Sequence, residues 1–247
     1  EALAAKADLY AARTLLSVSG HRTENNQLEV LLGQAQSSLL NLDDDSEKLT
    51  LMLVAFELRL DRLLASSSAT GADTAARALK LHADLLHGID LSSELKQIRM
   101  GSYLWSQTGR LYERFSHLDE AIESTRRAII QAEIAEARDL SFLWHAQLAR
   151  LFLAKGQVEL SLQAYEKSRT IIDTIKDSLP KYDPVSGRSL FREALAPIYM
   201  EYAELLLSGR VQDDTHSLET VRSLMESLKV AEVEQYFKDD CVSDLVG

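Results

Sequence analysis

The sequence has a single cysteine, Cys241, so no internal disulfide can hold the fold together. That suits a reducing compartment, and the expectation drawn from it is a cytoplasmic protein. No CxxC pair exists to seat zinc. Only 3 prolines and 10 glycines punctuate 247 residues. Strand-and-turn architectures need more turn residues than that, so long helices with short connections are favoured. The glycines are scattered singly and form no phosphate-binding loop. No apolar run approaches the roughly 18 residues of a membrane span. No basic stretch leads into an apolar one at the start, and Glu1 already opens a helical pattern, so a piece of a longer protein is expected. Basic charge is in deficit as well. The formal net charge is −11, which repels phosphate backbones and argues against nucleic acid as a general partner.

What the chain has is helix-forming material. Hydrophobic residues make up 46%, and Ala, Leu, Glu, Lys, Arg and Gln dominate. Leu3, Ala7, Tyr10, Ala11 and Leu15 follow the helical template and predict a first apolar face, with a stop at Gly20. Leu28, Leu31, Leu32, Ala35, Leu39 and Leu40 predict a second helix. Ser46 reads as the cap of a third, lined by Leu49, Leu53, Phe56, Leu60 and Leu63. Ser66 to Gly71 break it; Ala75, Ala78, Leu79, His82, Leu85 and Leu86 form the fourth, with Gly88 as its stop. Ser92 or Ser93 opens the fifth, through Ile98, Tyr103, Trp105, Leu111 and Tyr112, and a corner at Ser116 to Leu118 leads into the sixth. The sixth carries Ala121, Ile122, Ala128, Ile129 and Ala132; the seventh carries Phe142, Leu143, Ala146, Ala149, Phe152 and Leu153 and turns at Gly156; the eighth carries Leu160, Leu162, Tyr165, Ile171, Ile172 and Ile175. Pro180, Pro184 and Gly187 mark a non-helical stretch. The ninth helix is placed over Ser189 to Leu207 with a kink or late start at Pro197, the tenth over His216 to Tyr236. Ten helices with short turns predict an all-α, right-handed solenoid of about five antiparallel pairs, starting near residues 1, 46, 92, 139 and 189.

Other residue clusters carry little chemistry. His82 and His87 are five apart and point to different helix faces, so no metal is expected there. Asp43, Asp44 and Asp45 lack the alternating oxygens and closing Glu of a calcium loop. Arg126 and Arg127 read as a solvated face, as do the many carboxylates near basic residues. Tyr103, Trp105, Tyr112 and Trp144 read as packing, and an exposed member would be a binding anchor. No catalytic residue and no cofactor site stands out, and a small-molecule ligand is disfavoured.

The clearest pattern is Trp105, Gly109, Tyr112, Ala121 and Ala128. A small residue at Gly109 lets the partner helix approach, Ala121 answers it, and the aromatics fill space against neighbouring pairs. It recurs forty residues on as Ala149, Phe152, Gly156, Ser161, Tyr165 and Ser168. This spacing resembles the tetratricopeptide repeat. Thr125 stands where that repeat prefers an aromatic, the closing proline is absent from both copies, and the period exceeds the usual one. The resemblance implies helix pairs longer than standard that bind a protein or peptide.

A second resemblance lies at the C-terminal end. Residues 190–207 and 221–242, through Leu228, Lys229, Glu232, Tyr236, Phe237, Asp240 and Cys241, are similar to the segment before the protease domain in bacterial tetratricopeptide proteins of the CHAT family. That resemblance implies a recognition or regulatory arm for a caspase-like peptidase lying downstream, whose catalytic His and Cys are not in this chain. Cys241 then belongs to a linker. The expected organisation is one continuous array: degenerate repeats over 1–90, the best-matching repeats over 91–178, and a C-terminal pair with linker over 179–247. Two alternatives stay open, a peptide-sensing regulatory repeat domain and a free-standing assembly scaffold.

Overall fold

A computed structural model of the chain describes residues 2–18, 25–40, 42, 44–65, 71–179, 194–209, 211 and 214–237. Among these, ten α-helices and no strand are found: α1 (Ala2–Val18), α2 (Asn25–Leu40), α3 (Asp45–Ala65), α4 (Ala72–Glu94), α5 (Ile98–Arg114), α6 (Leu118–Ile134), α7 (Arg138–Ala154), α8 (Val158–Ile175), α9 (Ala196–Leu207) and α10 (Asp214–Phe237). The chain divides into two compact units, residues 1–137 and 138–247. Gly20, Ser66 to Ser68, Pro180, Pro184, Gly187, Asp240 and Cys241 lie outside the described residues. No helix among the described residues is long and apolar enough to cross a membrane.

In the first unit, Ala5, Leu9 and Ala12 of α1 pack with Leu32, Ala35 and Leu39 of α2 and with Leu51, Ala55 and Leu58 of α3. The face of α1 read from the sequence is the wrong one. Leu3 is 82% and Tyr10 67% exposed, and Ala7 and Ala11 are exposed too. Alanine and leucine occur on several sides of this helix, and its neighbours select which stripe is covered. Helix α3 is buried on most sides, because it meets α1, α2, α4 and α5. Its cap is Asp44, not Ser46: Asp44 Oδ1 accepts from the amides of Ser46 (2.9 Å) and Glu47 (3.1 Å).

The junction between α4 and α5 also departs from the sequence reading. Helix α4 runs straight through Gly88, where a side chain would come within 3.3 Å of Leu104 and Phe56. Glycine there permits close approach of three helices and stops nothing. Ser92 and Ser93 lie in the last turn of α4, and Ser92 Oγ donates back to the Ile89 carbonyl at 2.7 Å.

The true stops share one geometry. Lys96, Ser116, Glu136 and Gly156, spaced at intervals of twenty, all have positive φ (56°, 61°, 53° and 73°). At each, the next amide reaches back five residues, from Gln97 to Ser92, His117 to Tyr112, Ala137 to Ala132 and Gln157 to Phe152, at 2.8–3.0 Å. This satisfies carbonyls that a helix end would otherwise strand. Helices α5, α6 and α7 are accordingly 17 residues each and α8 is 18. In the second unit a short 3-10 turn, Lys176–Ser178, follows α8, and Pro197 sits in the first turn of α9, where a missing amide donor costs no helical bond; Ser189, the expected start of this helix, lies outside the described residues.

Candidate functional site

The two best-matching helix pairs are pinned by buried hydroxyls. In α5–α6, Ser102 Oγ donates to the Ala128 carbonyl at 2.7 Å. In α7–α8, Ser168 Oγ donates to the Phe142 carbonyl at 2.8 Å, and Ser161 Oγ to the Ala149 carbonyl at 2.8 Å. Residues 102 and 142 are counterparts at an interval of forty, as are 128 and 168. The same helix-to-helix link is therefore made from the first helix in one pair and from the second helix in the other. Both fix antiparallel packing, since the start of the first helix meets a point past the middle of its partner. Gly109, Ala121, Ala128, Ala149, Phe152, Ser161, Tyr165 and Ser168 are all buried. These predicted motif residues thus serve packing, while Gly156 occupies an exposed turn.

Trp105 and Tyr112 are half-buried and engaged. Arg127 lies over the Trp105 ring, 4.7 Å from its centroid, and pairs with Glu123 at 3.1 Å. The Tyr112 hydroxyl is 2.9 Å from His82 Nε2, their rings meeting edge-on, and the His117 ring also meets Tyr112 at a steep angle, 6.3 Å between centroids. The counterpart of Trp105 in the next pair is His145, and that of Arg127 is Lys167. His145 Nε2 is buried without a hydrogen bond among the described residues. Burial, with Lys167 adding to it, lowers the His145 pKa to about 4.

Charged residues read as solvated faces turn out to join helices. In the first unit, Arg13 of α1 faces Glu57 of α3 at 3.7 Å, and Arg110 of α5 binds Asp61 of α3 at 3.0 Å. Arg59 of α3 joins Asp84 of α4 at 3.3 Å and Gln36 of α2 at 2.6 Å. In the second unit, Arg150, the counterpart of Arg110, binds Glu201 of α9 at 3.0 Å. These pairs are only partly exposed, so they set helix register more than they add net stability.

The densest polar group lies where α8 meets α9. The Tyr165 hydroxyl donates to Glu201 Oε2 at 3.0 Å, and the Tyr202 hydroxyl donates to Glu166 Oε2 at 3.1 Å. The two rings stack, 5.5 Å apart at 13°. Arg169 binds Glu166 through two nitrogens and Asp173 through a third. Burial holds both phenols well above the usual tyrosine range, and the facing glutamates, Glu201 for Tyr165 and Glu166 for Tyr202, add to it. Tyr199 is pushed up to about 12 by burial and by Asp173. The counterpart of Tyr165 in the first unit is Thr125, whose hydroxyl bonds back to Ala121 of its own helix at 2.8 Å. This network was not anticipated; its one visible trace is the reversed dipeptide, Tyr165–Glu166 against Glu201–Tyr202.

Of the C-terminal motif, Leu228 is half-buried and Lys229 and Glu232 are exposed on α10. Tyr236 and Phe237 end that helix, but their side chains lie outside the described residues. Several large apolar side chains stay exposed: Leu79 and Leu86 on α4, and Ile130 (55%) and Ile134 (62%) one turn apart on α6. Residues 90 and 94 are Asp and Glu, and residues 170 and 174 are both Thr, at the counterpart positions of α4 and α8.

The fold is that of an all-α, tetratricopeptide-like helical repeat protein. Solved structures that share it include that of a Podosopora anserina protein described as a kinesin light chain with nearly identical TPR-like repeats, and that of a variant form of it. The first is 14% identical, with a TM-score of 0.57 over 90% of this chain and 95% of that one; the second is 14% identical, with 0.58 over 91% and 95%. No protein-family model and no curated protein matches the chain.

Proposed function

We propose that this chain is a protein-binding repeat domain that takes a peptide or partner helix and performs no catalysis itself. The observation that carries the reading is the exposed apolar stripe of α6. The motif residues are used up in packing, yet Ile130 and Ile134 face water where the counterpart positions are Asp or Glu and Thr. An uncovered apolar stripe on a helix is a natural seat for a partner's apolar face. A photo-crosslinking residue placed at 130 or 134 should capture a partner protein, and one at 90 or 170 should not; equal labelling at all four would remove the reading.

The finer reading is that the array is the recognition or regulatory arm of a cytoplasmic, CHAT-type caspase-like protease of bacterial origin. It rests on the resemblance of residues 190–207 and 221–242, and on Leu228, Lys229, Glu232, Tyr236, Phe237, Asp240 and Cys241 in particular. Sequencing the parent gene past Gly247 tests it. A His and a Cys in a caspase-like α/β pattern support the arm, whereas a stop codon soon after Gly247 leaves a free-standing scaffold.

A further inference from the structure

Helix α9 meets α8 along a narrower seam than it shares with α10, and α7 and α8 share a broad one. What crosses from α9 to α7 and α8 in the described hydrogen bonds is polar: Tyr165 to Glu201, Tyr202 to Glu166, and Arg150 to Glu201. The contact is reciprocal, since each helix contributes a tyrosine that donates and a glutamate that accepts. Each glutamate also has its own arginine, Arg150 for Glu201 and Arg169 for Glu166.

Separation along this seam is inexpensive on the α7–α8 side. Glu166 keeps Arg169 from its own helix, so it needs no new partner. The side chains of Arg150 and Glu201 are already 41% and 35% exposed, so water can take over from each as they part. The buried Tyr165 and Tyr202 rings and hydroxyls move to solvent, and with them the buried Tyr199 ring, which lies near Asp173 and Arg169 of α8. A seam of this kind specifies one docked register through directional bonds, while leaving no orphaned charge when it opens.

We propose that α9–α10 is a latched element: the crossed tyrosine–glutamate contact docks it on α7–α8, and it releases as a unit while α7–α8 stays folded. Such sub-global opening is the way elements with a narrow apolar seam exchange with solvent. Release would uncover Tyr165 and Arg150 together on the face that α9 had held.

Hydrogen exchange on the full chain at neutral pH tests this, comparing the parent with Tyr202→Phe and with Tyr165→Phe/Tyr202→Phe. Phenylalanine keeps the stacked rings and removes only the hydroxyls, so the single variant serves where the double one does not fold. In the parent, amides of α9 and α10 should share one opening that is faster than that of α7 and α8. The double variant should accelerate that opening by about tenfold or more, the effect of losing hydrogen bonds to charged acceptors, and leave α7–α8 within about twofold. Equal acceleration of α7–α8 would overturn the proposal, because the unit would then open as one body. No acceleration of α9–α10 would overturn it too, because the crossed contact would not be what docks it.

Discussion

Ser168 Oγ sits 2.8 Å from the carbonyl oxygen of Phe142 and ties the middle of α8 to the start of α7. Ser102 does the same for Ala128 from the opposite helix at 2.7 Å. Removing either hydroxyl leaves a buried carbonyl that has lost a donor. Ser168→Ala and Ser102→Ala should each cost about 1–2 kcal/mol, read as a lower urea midpoint at unchanged slope. Because the link can be made from either side, Ala128→Ser in the Ser102→Ala background should restore at least half of the loss. No recovery would show that the two sites are not interchangeable.

The four helix stops make a second set of expectations. Gly156 has φ of 73° with nothing within 4 Å of the position a side chain would take, so Gly156→Ala tests backbone strain alone. It should destabilise by about 1 kcal/mol. Glu136 already bears such strain at φ 53°. Glu136→Gly should be neutral or stabilising by less than about 1 kcal/mol, since relief in the folded chain is partly offset by freedom gained in the unfolded one. Thermal melts of the two variants should therefore shift in opposite directions or by clearly different amounts.

His145 predicts an acid limb. Its pKa falls from 6.5 in the unfolded chain to about 4 in the folded one, so between those values the unfolded state binds more protons. Stability should then fall as pH drops from about 6.5 to 4, by up to roughly 3 kcal/mol. Urea titrations of His145→Leu should show a flatter profile over that window. An unchanged acid limb would mean that carboxylates, not this imidazole, set it.

Tyr165 and Tyr202 predict an alkaline limb. Both phenols are held protonated in the fold by burial and by Glu201 and Glu166, so their folded pKa lies above the unfolded value of 10.0. Their contribution is fully present below pH 10 and is lost as pH rises beyond it. Ultraviolet titration should find three tyrosines, Tyr165, Tyr199 and Tyr202, that ionise late, as the helical signal is lost. In the double phenylalanine variant the loss of stability above pH 10 should be shallower.

The helical repeat was legible in the sequence because small and large residues recur at an interval of forty; α6 buries the face that periodicity named, and α7 and α8 bury most of theirs, with Leu160 at the start of α8 left 39% exposed. Elsewhere several readings competed. Helix α1 offers alanines on every side, and only its neighbours decide that Ala5, Leu9 and Ala12 go inside. Gly88 and Ser92 carry the usual signals of a stop and a start, yet one answers a close approach to Leu104 and Phe56 and the other bonds to its own helix. The actual stop at Lys96 has no glycine to announce it. Charge pairing between helices was invisible for a different reason. Arg110 with Asp61 and Arg150 with Glu201 are about fifty residues apart in sequence, and no local rule connects them.

The regular turns have a consequence for how such a chain tolerates change in length. Between Lys96 and Gly156 every stop recurs at the same interval, so a duplicated stretch of forty residues carries two complete capped helices and leaves the order of small and large residues in phase. An insertion of one or two residues within α5 to α8 does the opposite: it rotates every later side chain of that helix by about 100° per residue, turning an apolar stripe toward water and a polar one inward. Growth by whole helix pairs is therefore the mild form of lengthening for this chain, and a single added residue is the severe one.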